Sequence, residues 1–244
     1  MKKVCILKRN ENGVYENRMY EKAIKEFGMD PIFINESNLD LLKECSGILL
    51  TGGENKIDLD DYLIEYSIKN SIPLLGICLG MQVLGTYKTD YNLRSVDNHY
   101  KNEKYVHNVK LQQSLLKNIV GNNTIKVNSH HHEVLINSVF DVVGISDDGF
   151  IEAIENKNHP FQIGVQWHPE RMTGYDEVSR KIFEYFAKKV DSTSTLIIWI
   201  DGTKRKCLLL SVKTNTYILK LMMLYTMLML IFFSYKYCSS SLQT

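Results

Sequence analysis

The sequence carries no excess of either charge. Its 29 basic and 28 acidic side chains leave a formal net charge of +1 over 244 residues. Nucleic-acid binding calls for a basic patch or stripe, which this balance does not supply, so a small-molecule substrate is expected and no nucleic-acid partner. Paired cysteine motifs are missing as well. Cys5, Cys45, Cys78, Cys207 and Cys238 are odd in number, irregularly spaced and without a CxxC pair. This argues against a disulfide framework or a cysteine zinc site and in favour of a reducing, cytoplasmic setting. No internal repeat is visible. The apolar run near the start, Val4 to Leu7, is too short for a signal-peptide core and reads as a buried strand.

What is present is an ordinary globular composition, 44% hydrophobic and 23% charged. Strand and helix patterns alternate through the first third of the chain. Strands are expected at 3–8, 31–34, 47–51 and 73–77. Helices are expected at 15–27 and 58–69, the second with Leu59, Tyr62, Leu63 and Tyr66 on one face. The run Pro73-Leu74-Leu75-Gly76-Ile77 is apolar without a break, as in a strand covered on both faces. Short connections between such units predict an α/β fold with a doubly wound, mostly parallel sheet flanked by helices. From 100 to 167 the texture becomes β-rich, with short runs at 106–111, 125–127, 141–145, 150–155 and 162–166. A last helix is expected over 176–190.

Residues 1–190 therefore read as one domain and 191–244 as an atypical hydrophobic tail. Leu221 to Tyr235 has no charged residue, and extension back to Tyr217 takes in only Lys220. Three readings of the tail stand side by side: membrane contact through 217–235, a non-native extension, or a packed or oligomer-forming helix.

Two motifs carry chemistry. In Gly76-Ile77-Cys78-Leu79-Gly80-Met81-Gln82, a cysteine between flanking glycines joins an apolar strand to a helix. That is the shape of a nucleophile elbow, in which glycines permit a sharp turn and close approach of neighbouring elements. The sulfur then sits at a helix start, and the Leu79 N–H faces a developing oxyanion. In Gly164-Val165-Gln166-Trp167-His168-Pro169-Glu170, a strand delivers His168 at the sheet end and Pro169 stops further ladder pairing. Glu170 is near enough to bond one imidazole nitrogen and leave the other to take a thiol proton. Cys78, His168 and Glu170 are the expected catalytic residues.

With Leu49-Leu50-Thr51-Gly52-Gly53 and Val127-Asn128-Ser129-His130-His131-His132, these motifs resemble, in identity and order, the class I glutamine amidotransferase superfamily. Within it, residues 1–190 are most similar to the γ-glutamyl-γ-aminobutyrate hydrolase group, peptidase family C26. The resemblance implies a flavodoxin-like fold and cleavage of a γ-glutamyl amide through a thioester on Cys78. It implies oxyanion-hole amides at Gly53 and Leu79, and substrate contacts at Gly52, Gln82, His131 and His132. No cofactor is implied. A metal is not expected either, since the adjacent residues His130, His131 and His132 point to alternate faces of a strand and cannot converge on one ion. The interval from Gly53 to Cys78 is shorter than the hydrolase pattern, Glu133 stands where glutamine is commoner, and the tail has no counterpart. The short interval keeps a second function open, a glutaminase subunit that passes ammonia to a synthase partner. A non-catalytic membrane-tethered module is disfavoured by the complete set of Cys78, His168 and Glu170.

Overall fold

A computed structural model of the protein describes residues 2–9 and 14–192. The strand β1 (Lys3–Leu7) turns Val4 and Ile6 to one side and Cys5 and Leu7 to the other, and all four are fully buried. A strand apolar on both faces must lie inside a sheet covered by helices on both sides. The chain continues through α1 (Val14–Glu26), β2 (Asp30–Ile34), a kinked 3-10 segment over Glu36–Glu44, β3 (Gly47–Leu50), α2 (Asp58–Asn70), β4 (Leu74–Ile77) and α3 (Leu79–Gly85). There follow β5 (Leu93–Ser95), β6 (Tyr100–Lys101), β7 (His107–Leu111), α4 (Leu115–Val120), β8 (Thr124–Val127), β9 (Ser129–His130) and β10 (Glu133–Leu135). The last elements are β11 (Asp141–Ser146), β12 (Ile151–Glu155), β13 (Gln162–Val165) and α5 (Glu177–Ser192).

Nine strands form one mixed sheet in the order β2-β1-β3-β4-β13-β12-β11-β7-β8. The half from β2 to β13 is parallel, and β12, β11, β7 and β8 extend it antiparallel. On one face Ile24 of α1, Leu116 of α4 and Phe183 and Phe186 of α5 pack with Val4, Leu49 and Leu75. On the other, Leu59, Leu63 and Ile64 of α2 and Leu84 of α3 pack with Cys5, Ile48 and Leu74. Burying each Phe of α5 is worth about 1.5–3 kcal/mol relative to exposure. The expected doubly wound α/β architecture with its β-rich second half is what the chain adopts.

Two local expectations change. Tyr62 is 49% exposed and stacks on Tyr66, while the buried face of α2 runs through Leu59, Leu63, Ile64 and Ser67. Two short ribbons, β10–β5 and β6–β9, lie in segments without a readable strand pattern. The expectations for residues 193–244, membrane contact over 217–235 included, fall outside the described residues. Among the described residues, no helix is long and apolar enough to cross a membrane.

What positions the site is the pairing of β4 with β13. They run parallel with Ile77 opposite Val165, so both strands end at the same sheet edge. The residues that follow, 78 on one strand and 166–170 on the other, emerge together.

Candidate active site

Cys78 has φ 54° and ψ −110°, outside the regions that L-residues favour. The surroundings hold it there. Its N–H donates to the Val165 carbonyl at 2.9 Å, and its own carbonyl accepts the Met81 and Gln82 N–H groups at 2.9 and 3.1 Å. The flanking glycines are a packing requirement. A Cβ on Gly76 would lie 2.6 Å from the Gly80 carbonyl oxygen, and one on Gly80 would lie 2.2 Å from that of Leu50. No side chain fits between α3 and the strands beneath it.

His168 arrives from β13 and is buried. Its Nδ1 bonds Glu170 Oε1 at 2.8 Å, the short Pro169–Arg171 3-10 turn having folded the carboxylate back beneath the ring. The Cys78 side chain lies on the same side, the two residues flanking Gly52. Burial opposes a charge on the imidazole, but Glu170 and Cys78 outweigh it and push its pKa up to about 9. A third segment closes the group. A Cβ on Gly52 would lie 2.9 Å from Tyr20 Oη, 3.2 Å from His168 Cε1 and 3.4 Å from Cys78 Cβ. The three sequence motifs therefore meet at one point. A thiol beside an imidazole whose far nitrogen is fixed by a carboxylate is an arrangement capable of nucleophilic chemistry.

The expected peripheral residues divide. Leu79 opens α3, so its N–H has no intrahelical acceptor. Gly53 follows Gly52 in the turn beyond β3, and the Gly52 N–H donates to Tyr20 Oη at 2.9 Å. Gln82 is buried, and its amide nitrogen donates to the Glu133 carbonyl at 2.8 Å and to Gln166 Oε1 at 3.2 Å. Its oxygen accepts from Tyr91 Oη at 3.4 Å, so this side chain braces the floor of the site.

The histidine expectation needs correction. The ring that meets His168, edge to face at 5.9 Å, is that of His130. His131 points the other way, as neighbours on extended backbone must, and is buried with His99, His107 and Glu152. His132 is exposed and stacks on Tyr100 at 4.5 Å. Burial lowers the pKa of His130 to about 4 and, with His99 adding to it, that of His131 to about 3.

Sequence reasoning assigned no role to five other neighbours. Tyr20, buried on α1, caps Gly52. Asn128 bonds both backbone groups of His168. Gln166 Nε2 donates to Cys78 Sγ at 3.7 Å. Arg9 and Asp60 form a buried bidentate pair, at 3.0 and 2.6 Å, and Arg9 also donates to the carbonyls of Thr51 and Asn55 on either side of the glycine turn. Asn128 and Gln166 stand inside motifs already noticed and were within reach. Tyr20, Arg9 and Asp60 have no local signal.

Comparison with known proteins agrees with this picture. The Peptidase C26 family model matches residues 58–170. A Schizosaccharomyces pombe protein provisionally named glutamine amidotransferase PB2B2.05 is 37% identical over 138 residues, 52% of this chain and 54% of that protein. The glutamine-hydrolyzing GMP synthase of Francisella tularensis subsp. holarctica (strain FTNF002-00 / FTA) is 25% identical over 188 residues, 75% of this chain and 36% of that protein. The chain thus spans about half or less of these relatives' lengths. Among solved structures, the glutaminase domain of Trypanosoma brucei CTPS with bound acivicin aligns with a TM-score of 0.64 at 15% identity, covering 80% of this chain and 96% of that one. That likeness establishes the fold.

Proposed function

The chain belongs to the class I glutamine amidotransferase superfamily, and from that premise we propose that it hydrolyses a γ-glutamyl amide with Cys78 as nucleophile. The observation that carries this reading is that His168, its Nδ1 bonded to Glu170, lies with Cys78 against the same glycine, Gly52. In the proposed reaction, Cys78 Sγ attacks the γ-carbonyl carbon while its proton passes to His168. The N–H groups of Leu79 and Gly53 receive the charge on the carbonyl oxygen. The C–N bond then breaks, and His168 returns the proton to the leaving amine. Water attacks the resulting γ-glutamyl thioester, giving up a proton to His168, and release of glutamate restores the thiol. Splitting one difficult step into two through a covalent intermediate is what makes this route fast. Glu170 fixes the tautomer of the ring throughout. No cofactor enters this scheme.

A second reading is a glutaminase subunit that supplies ammonia to a synthase. The similarity to a glutamine-hydrolyzing GMP synthase and the short Gly53–Cys78 interval favour it. One experiment separates the two. The purified full-length chain is incubated alone with glutamine and with γ-glutamyl amides of small amines, and glutamate is measured. Release without any partner supports the hydrolase; release that appears only with a synthase present supports the subunit. No release under either condition removes both.

A further inference from the structure

The sequence expectation of no metal rests on the run His130-His131-His132, and those three side chains do diverge. Residues distant in sequence supply what the run cannot. His99 precedes β6, His107 opens β7, His131 links β9 to β10, and Glu152 stands on β12. One side-chain donor atom from each lies within 4.8 Å of every other.

The geometry is close to that of a coordination shell. Glu152 Oε1 is 3.6 Å from His99 Nδ1, 3.6 Å from His107 Nε2 and 3.6 Å from His131 Nε2. His99 Nδ1 and His131 Nε2 are 3.3 Å apart. Around a tetrahedral ion with bonds of about 2.0–2.1 Å, ligand atoms stand about 3.3–3.4 Å from one another.

The outer nitrogens tell which inner atoms carry lone pairs. His99 Nε2 bonds Asp148 Oδ2 at 2.8 Å, His131 Nδ1 bonds the Glu133 carbonyl at 3.1 Å, and His107 Nδ1 approaches the Asn108 carbonyl at 3.4 Å. In each case the outer nitrogen faces an oxygen, which favours the tautomer protonated on that nitrogen. That is the outer-shell pattern of metal-bound histidine. The inner nitrogens then present lone pairs to one another and to a carboxylate. Among the described residues, both oxygens of fully buried Glu152, and His107 Nε2, have no hydrogen-bond partner. Lone pairs that face one another repel, and a buried carboxylate without a cation is costly. A divalent ion removes both penalties.

We propose that His99, His107, His131 and Glu152 bind one Zn²⁺ ion in a closed, structural site. Three imidazoles and a carboxylate suit zinc, and four protein ligands leave no open position for a substrate. The ion ties the two short ribbons to the antiparallel half of the sheet. It also fixes the segment 128–133, from which Asn128 bonds His168, His130 meets the His168 ring, and the Glu133 carbonyl holds Gln82.

The test uses the full-length protein, purified without chelator, with elemental analysis and then replacement by Co²⁺. The expected result is about one zinc per chain and the visible spectrum of tetrahedral Co²⁺ without a thiolate charge-transfer band. Asp148 is half exposed, so Asp148→Asn should fold and should weaken Zn²⁺ binding about 10–100-fold. Glu152→Gln should lose the ion, and Cys78→Ser should keep it. A protein that neither contains zinc nor binds added Zn²⁺ overturns the proposal. So does a Co²⁺ spectrum with sulfur ligation, loss of the ion in Cys78→Ser, or unchanged affinity in Asp148→Asn.

Discussion

Asn128 grips His168 by its backbone from both sides. Its amide nitrogen donates to the His168 carbonyl at 2.9 Å, and its oxygen accepts the His168 N–H at 2.8 Å. Both residues are buried, so water cannot replace either bond. In Asn128→Ala two backbone groups lose their partner, at about 1–3 kcal/mol each. The expected outcome is a lower unfolding midpoint together with a reduced kcat for glutamate release and a nearly unchanged KM. Denaturant unfolding and steady-state kinetics measure the two effects. An unaltered kcat would refute the positioning role.

Cys78→Ala tests the nucleophile. Glutamate release should fall by at least about 10³-fold, because no other step in the scheme replaces the thioester. Stability should change by only about 1 kcal/mol, since the deleted sulfur is small. The fold-retaining variant should also fail to form a γ-glutamyl adduct visible by intact-mass spectrometry. Turnover at the original rate would remove Cys78 from the reaction.

Glu170→Gln should move the pH profile. Burial lowers the His168 pKa, and the charges of Glu170 and Cys78 reverse this and bring it to about 9. Without the Glu170 charge the imidazolium gives up its proton at lower pH. The acid limb of kcat/KM, below which His168 is already protonated and cannot take the thiol proton, lies near pH 9 in the original protein and should therefore shift toward neutrality. The same sign holds for stability. A pKa raised in the folded state from 6.5 contributes stability that is complete below pH 6.5 and is lost as pH rises through about 9. A limb at the same pH in Glu170→Gln would contradict the assignment.

Asp60→Asn should unfold the protein more readily by about 3–5 kcal/mol, because it leaves the fully buried Arg9 guanidinium without its charge partner. Arg9 also holds the carbonyls of Thr51 and Asn55, so activity should fall along with stability as the glycine turn loosens. Urea titration gives the first number. A change below about 1 kcal/mol would mean that the pair is dispensable.

Gly52→Ala makes the opposite distinction. Its Cβ would crowd Tyr20 Oη at 2.9 Å and the His168 ring at 3.2 Å, both of them side-chain atoms. Those side chains have to give way, so the fold should survive while the geometry at Cys78 does not. A misplacement of this order costs about 10²-fold in rate. Comparison of kcat/KM with the thermal midpoint decides: a large drop in the second with the first intact would reverse the argument.

Much of this protein is local and could be read along the chain. The apolar run at Pro73–Ile77 announces a strand buried on both faces, and β4 occupies such a position. The spacing of Gly76, Cys78 and Gly80 announces a sharp corner because each glycine answers a contact within a few residues or with the adjacent strand. His168, Pro169 and Glu170 form their hydrogen bond within a single turn. Tyr62 stacks on Tyr66 as the spacing implies yet stays exposed, because only packing chooses which part of a helix face is covered.

What the sequence by itself determined is therefore the order of strands and helices up to β4, the β-rich character of the second half, the elbow at Cys78 and the bonded pair His168–Glu170. The tertiary structure decided which histidine of the run 130–132 reaches His168, because the side of a strand that faces a given neighbour depends on the register of β9 against β6. It also decided that His99, His107, His131 and Glu152 share one buried space. Nothing in their local sequence predicts that meeting, since they come from separate segments and are brought together only when the antiparallel strands pair and the ribbons close over them.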